Sequence, residues 1–458
     1  MKTDSSIHCS HLLTADGWID NAVVQLDEYG LITAMNKGSA ADAAKSLSGH
    51  VIPGMPNLHS HAFQRQMAGL SCGFTKREDS FWTWREAMYH LAQNLTPGQM
   101  QAIAAWLYVE MLQSGFTSCA EFHYLHHQTG GEPYDNIAEM SARLVEAATT
   151  SGIALTLLPV LYCHSGFSRE RVSVRQLRFF NTPDGFLELY TACSELLHGQ
   201  PLHRLGLAPH SLRAVSGEQL DHVLQRVGNS AASIHIHIAE QPGEVEECLQ
   251  YLGARPLAWL LEHQDIDQRW CLVHATHLDD EEIRQAAATG AIAGLCPTTE
   301  ADLGDGVFEM GPWLAAGGSF GIGSDSNLRL SVDEELRWLE NEARLLSGRR
   351  NVLARDGLSC GRFLYEQAAR GGGCALGQPV GKIQMDYRAD LVELDEQHPL
   401  MEGKEGDTVL DTFVFAGDRS MIRSVYVAGK LVIEQGRHAQ QDDLANGFRK
   451  TMKELADI

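Results

Sequence analysis

The sequence predicts an α/β protein: a TIM-like (β/α)8 barrel with a small β-sandwich domain built from both chain ends. Three observations carry this. Eight short apolar runs alternate with amphipathic stretches through the middle of the chain. Both ends are instead β-rich and broken by Gly and Asp turns. Histidines and acids gather where the central runs stop, which is where such a barrel carries its chemistry.

Taken in order, residues 22–26 and 31–35 read as strands around a turn at Glu28-Tyr29-Gly30. The central runs are 51–53, 117–122, 154–162, 205–208, 233–239, 270–274, 291–295 and 320–323. Most are separated by stretches of helical periodicity: 97–113, 135–150, 217–227, 244–252 and 280–288. Beyond them, 390–394, 410–415 and 424–428 are β-rich, and 425–432 reads as a hairpin with Ala428-Gly429 near its turn. β-rich ends flanking a long centre are expected to pair with each other. The division expected is 1–50 plus 380–440 as a discontinuous small β-domain, 51–379 as the barrel, and 441–458 as a C-terminal helix.

The 458 residues carry a formal net charge of −23. Such a field repels nucleic acid and anionic membrane surfaces, so neither is expected as a partner. An anionic substrate would need cations held locally. The ten cysteines are scattered with no CxxC pair, and the opening residues lack the apolar core of a signal peptide. A reducing cytoplasm is the expected compartment. The longest apolar stretch, 153–163, contains Thr156 and Pro159. It falls far short of the roughly 20 residues that span a bilayer.

The run ends are rich in chemistry. The first ends at Asn57-Leu58-His59-Ser60-His61, the second at Glu121-Phe122-His123-Tyr124 and the third at Tyr162-Cys163-His164. The fourth ends at Pro209-His210, and the fifth carries His235-Ile236-His237-Ile238-Ala239-Glu240. The sixth ends at His274-Ala275-Thr276-His277, the seventh at Cys296-Pro297 and the eighth at Gly323-Ser324-Asp325-Ser326. His59 and His61 share a face of an extended segment, because side chains alternate. A lone HxH is weak evidence, but His237, His274 and Asp325 at other run ends extend it to a metal set. Imidazoles with one carboxylate suit Zn²⁺ and leave room for a water. By spacing alone either His235 or His237 could be the ligand. Strand polarity puts His235 deeper, and Glu240 just beyond His237 favours the latter.

Pro53-Gly54-Met55-Pro56-Asn57-Leu58-His59-Ser60-His61 resembles the first-strand metal motif of the amidohydrolase superfamily. His237, His274 and Gly323-Ser324-Asp325 match its fifth, sixth and eighth strand positions. Val380-Gly381-Lys382-Ile383 followed by Arg388-Ala389-Asp390-Leu391-Val392 resembles the return to the flanking β-domain. Within the superfamily, three longer strings are similar to the formimidoylglutamate deiminases of histidine degradation. They are His59-Ser60-His61-Ala62-Phe63-Gln64-Arg65, Asp79-Ser80-Phe81-Trp82-Thr83-Trp84-Arg85 and Ala120-Glu121-Phe122-His123-Tyr124-Leu125-His126-His127.

The resemblance implies hydrolysis of N-formimino-L-glutamate to N-formyl-L-glutamate and ammonia by a cytoplasmic homodimer. It implies metal ligands His59, His61, His237 and Asp325, with Glu240, His274 and Asp325 in proton transfer. It maps Gln64, Arg85, Tyr124, His210 and Arg213 onto substrate contacts, the two arginines suiting two carboxylates. One zinc ion per chain is expected. Binuclear relatives often bridge two ions with a carbamylated lysine, and no lysine lies between Lys76 and Lys382.

Other readings are weaker. Gly357-Leu358-Ser359-Cys360-Gly361 matches a nucleophile pattern, but no clear strand precedes it. His123, His126 and His127 precede Gly130-Gly131 in a polar turn and read as solvated. The missing CxxC excludes the zinc deaminases that need it. A deaminase or chlorohydrolase acting on guanine, adenosine-type or triazine rings is the alternative, and such a substrate would need stacking surfaces more than paired arginines. A metal-free binding protein on this fold would have lost ligands, yet every one is present.

Overall fold

Seven of the eight central runs form parallel strands in two sheets that meet edge to edge; the first, 51–53, instead ends strand Lys45–Pro53 of the small sheet, and Met55–Ser60 just beyond it supplies the barrel's first strand. We describe them from a computed structural model covering residues 6–70, 80–227, 230–355 and 357–456. Cys72, Asp79 and the first five residues lie outside that description. The first sheet holds β1 (Met55–Ser60), β2 (Phe116–His123), β3 (Ala154–Leu161) and β4, which is split into Arg204–Leu205 and Ala208–Pro209. The second holds β5 (Ile234–Ile238), β6 (Trp270–His274), β7 (Ile292–Leu295) and β8 (Ser319–Ile322). A parallel bridge Leu207↔Ile234 joins β4 to β5, and Ser60↔Asp325 joins the end of β8 to β1. These bridges close the (β/α)8 barrel. Every residue of β1, β2, β3, β5, β6 and β7 is buried, as parallel strands sheathed by helices must be.

The covering helices begin and end on local chemistry. Thr96 accepts the Gln99 amide before helix Pro97–Gln113, with proline at the first turn. Asp279 accepts the Glu281 and Glu282 amides before helix Asp280–Thr289, which stops at Gly290 in the left-handed region.

The chain ends pair in one continuous eight-stranded sheet. Its order is Arg437–His438, Lys430–Glu434, Ile422–Val427, Leu391–Leu394, Lys45–Pro53, Ser6–Thr14, Gly17–Leu26, Ile32–Lys37. The ends meet where Leu391 pairs antiparallel with Pro53 and Leu394 with His50. This sheet has its own small core of Ile7, Cys9, Leu12, Val24, Val51, Leu391 and Tyr426. Residues 410–415, read from sequence as a strand, lie instead in helix Asp407–Ala416. Val409, Leu410, Phe413 and Val414 are its buried residues, a helical spacing that the β-branched composition obscures. Helix Gln441–Ala456 returns to the barrel, setting Phe448 6.5 Å from Trp106.

Gly54 alone separates strand Lys45–Pro53 from β1. A Cβ there would sit 2.3 Å from the Thr117 side chain. The small sheet thus feeds straight into the strand that carries the first histidines, and β2 crosses tightly over the junction. The nine described cysteines form no disulfide, and only Cys374 is exposed. Among the described residues no helix is long and apolar enough to cross a membrane.

Candidate active site

Three imidazoles and a carboxylate converge at the C-terminal end of the barrel. His59 Nε2 lies 3.2 Å from His61 Nε2 and 3.1 Å from His237 Nε2. Asp325 Oδ1 lies 3.2 Å from His61 Nε2 and 3.5 Å from His59 Nε2. Two of the rings are oriented from behind. His61 Nδ1 donates to the Phe122 carbonyl at 2.9 Å, and His237 Nδ1 to the His210 carbonyl at 3.1 Å. With those protons on Nδ1, both Nε2 atoms offer lone pairs to the centre. Burial pushes His59 down to about 3 and His237 well below its usual range, so these rings stay neutral. These acceptors could hold a divalent cation: His59 groups with His61 and His237, and also with His274 and Asp325.

The backbone around this point is strained. Ala239, His274, Ala275, Asp325 and Asn327 all have positive φ, at the ends of β5, β6 and β8. Each costs on the order of 1–3 kcal/mol unless its surroundings hold it. Here they do. The Ser324 and Asp325 amides donate to the His59 carbonyl at 3.1 and 2.9 Å. Asn327 Nδ2 donates to the His61 carbonyl at 3.0 Å, and Asn57 Nδ2 to Ser324 Oγ at 2.6 Å. Gly323 is required: a Cβ there would lie 2.9 Å from His59 backbone atoms. Glu121, at the end of β2, is committed away from the cluster. It accepts from Ser60 Oγ at 2.9 Å and from the Ala62 amide at 2.5 Å.

A cavity opens over the cluster. Gln64, Arg85, Tyr124, His210, Arg213, Glu240 and His274 all line it, together with His61, His237 and Asp325, while His59 lies beneath. Gln64 Nε2 donates to Tyr124 Oη at 2.8 Å. His274 Nε2 lies 3.8 Å from both Glu240 Oε1 and Asp325 Oδ2. Burial disfavours its cation, but the carboxylates of Glu240, Glu300 and Asp325 outweigh this and raise its pKa to about 10.

The two arginines differ. Arg213 is buried and already paired: its Nη2 lies 3.3 Å from Glu240 Oε2 and its Nε 3.9 Å from Glu244 Oε1. Arg85 stacks its guanidinium 4.5 Å over Trp82 and 5.7 Å from Tyr89. Its buried Nε finds no hydrogen-bond partner among the described residues. Glu244 and Tyr162, also at the site, were not singled out as site residues from sequence. A buried acid on the otherwise apolar face of helix Pro242–Leu252 was the available signal.

Several histidines stand apart. His235 Nε2 lies 2.7 Å from the Ala375 carbonyl, whereas His237 groups with His59 and His61. His164 pairs with Gln219, and His277 with the Asp305 carbonyl. His123, His126 and His127, expected to be solvated, are buried instead. The Arg178 carbonyl accepts the amides of His126 and His127 at 3.0 Å, folding that turn inward. Ser359 caps helix Cys360–Leu376 through the Arg362 amide, a structural use of the serine.

Residues 50–432 match the family model described as the amidohydrolase family. The chain belongs to the amidohydrolase family. This amidohydrolase is 48% identical to formimidoylglutamate deiminase of Pseudomonas aeruginosa over 99% of this chain and 100% of that one. A crystal structure of an amidohydrolase from Brucella melitensis superposes with a TM-score of 0.94 at 47% identity, covering 99% of this chain and 100% of that chain. An adenosine deaminase from Xanthomonas campestris with bound zinc shares the fold at TM-score 0.83 and 20% identity, covering 100% and 99% of the two chains.

Proposed function

We propose that this amidohydrolase hydrolyses N-formimino-L-glutamate to N-formyl-L-glutamate and ammonia. The full-length 48% identity to the Pseudomonas aeruginosa deiminase carries the reading. The site supports it. A donor cluster lies at the cavity floor with an acid and a histidine beside it. Arg85 lines the wall with a buried Nε that has no partner among the described residues.

His59, His61, His237 and Asp325 would hold the ion, and zinc suits three imidazoles with one carboxylate. When bound, one such ion per chain lowers the pKa of a water toward neutrality and so supplies the nucleophile. The chain's own groups do the rest. Asp325 would take the proton released as water adds to the formimino carbon, with His274, held protonated by the carboxylates around it, as its electrostatic partner. Glu240 delivers a proton to the imine nitrogen and then to the departing amine, which leaves as ammonia. Arg85 forks onto one substrate carboxylate, and Arg213 reaches the other from between Glu240 and Glu244. Gln64, Tyr124 and His210 shape the walls between.

The test is ammonia release from N-formimino-L-glutamate, guanine and an adenosine analogue. N-formimino-L-glutamate should be turned over fastest by far. Guanine or the nucleoside as the better substrate would move this chain to the ring deaminases.

A further inference from the structure

Glu300 stands behind the reaction centre and touches it through one ring. It is buried, on the short helix Pro297–Leu303 that follows β7. Its Oε1 lies 3.1 Å from His274 Nδ1 and accepts the Cys296 amide at 2.9 Å. Across the ring, His274 Nε2 lies 3.8 Å from Glu240 Oε1 and 3.8 Å from Asp325 Oδ2. The imidazole therefore spans from one buried carboxylate behind to two in front.

We propose that Glu300 is a positioning residue for the reaction: it keeps His274 protonated at Nδ1 and turns Nε2 between Glu240 and Asp325. An imidazole ring can carry its proton on either nitrogen and can flip about its bond to Cβ. The partner of one nitrogen settles both choices. A carboxylate oxygen can only accept, so Nδ1 must donate to it. The Cys296 amide holds that oxygen in place, and the helix carrying it is tied down in turn. The Thr298 amide donates to Glu335 at 3.0 Å, and Thr299 Oγ lies 3.1 Å from Ser326 Oγ, just past Asp325. The His274 backbone is held at φ 65°, which aims the side chain inward but leaves the ring flip open. Glu300 closes that freedom. His274, Cys296 and Glu300 also bring three ligand atoms within 4.8 Å of one another. However, Glu300 Oε1 is already occupied by two N–H donors, which a second ion would have to displace.

The role rests on the deiminase reading for its kinetic arm, and nitrogen NMR of histidine-labelled holoenzyme supplies an arm that does not. The His274 signals are identified by their loss in His274→Asn. Wild type should show Nδ1 protonated in a charge-assisted hydrogen bond, its proton displaced downfield and slow to exchange with water, and Glu300→Ala should lose that signature. Glu300→Ala should lower kcat for N-formimino-L-glutamate by about 10- to 100-fold, with KM little changed and metal content unchanged. Glu300→Gln should recover most of the rate, because its amide oxygen can accept both N–H groups. An unprotonated Nδ1 in wild type, a second metal equivalent lost on Glu300→Ala, or an unchanged kcat in that variant overturns the assignment. If Glu300→Ala does not fold, the wild-type spectrum and the Glu300→Gln rate decide alone. If wild type releases no ammonia from N-formimino-L-glutamate, the deiminase reading fails while the ring-nitrogen spectrum still judges Glu300.

Discussion

Removing the two cavity arginines one at a time should separate recognition from stability. Arg85 stacks on Trp82 and Tyr89, and its buried Nε has no hydrogen-bond partner among the described residues. Arg85→Met should therefore leave folding nearly intact. Its loss falls on the substrate: a charge-assisted hydrogen bond contributes about 1.5–3 kcal/mol. At about 1.4 kcal/mol per tenfold, kcat/KM should fall roughly 10- to 150-fold. Arg85→Lys should recover only part, because an ammonium keeps the charge but loses the planar fork. Arg213 is different, since it is buried against Glu240 and Glu244. Arg213→Met leaves two buried carboxylates without their cation, a loss on the order of 3–5 kcal/mol in stability. Both variants are assayed for ammonia release with N-formimino-L-glutamate and for their urea midpoints. The same substrate lacking one carboxylate should be poor for wild type and lose little more in the matching variant. Unchanged kcat/KM in Arg85→Met, or a stability loss equal to that of Arg213→Met, would refute the division of labour.

Three further outcomes follow from the site. Chelation should abolish activity, and one equivalent of zinc per chain should restore it; a requirement for two equivalents by metal analysis would contradict the single cluster. Glu240→Gln should retain the metal while kcat falls by about 10²–10⁴, the usual contribution of a general acid; wild-type turnover in stopped ammonia assays would remove Glu240 from that role. Gly323→Ala places a Cβ 2.9 Å from the His59 amide nitrogen and carbonyl oxygen, so metal retention should weaken and stability fall by about 1–3 kcal/mol, read by metal content and urea unfolding.

The barrel was legible because its strand ends combine short apolar runs with reactive side chains, as at Asn57-Leu58-His59-Ser60-His61 and Gly323-Ser324-Asp325. β4 was harder: it breaks at Gly206, where a Cβ would lie 2.6 Å from Leu158 and 2.8 Å from the Ser233 carbonyl. Asp407–Ala416 was misread because Val409, Thr412 and Val414 favour strands locally while burial follows the helical face. The burial of His126 and His127 depends on the Arg178 carbonyl, some fifty residues away, which no local pattern reports. The same holds for Arg213, whose arginine code conceals two acidic neighbours on another element. Side-chain type announces what a residue can do, but pairing across the barrel decides what it is free to do.

The seam between the chain ends also bears on synthesis. Strand Lys45–Pro53 pairs on one side with Ser6–Thr14, which is made early. On its other side it waits for Leu391–Leu394. At about 5–20 residues per second, a ribosome needs roughly 20–70 s to cover that interval. Throughout it the nascent chain presents an unpaired row of backbone donors and acceptors beside apolar Val51 and Ile52, the kind of edge on which chains aggregate. A ribosome that pauses inside the barrel should therefore lower this protein's yield through an edge laid down in its first fifty-odd residues, and a pause after Leu394 should do far less harm.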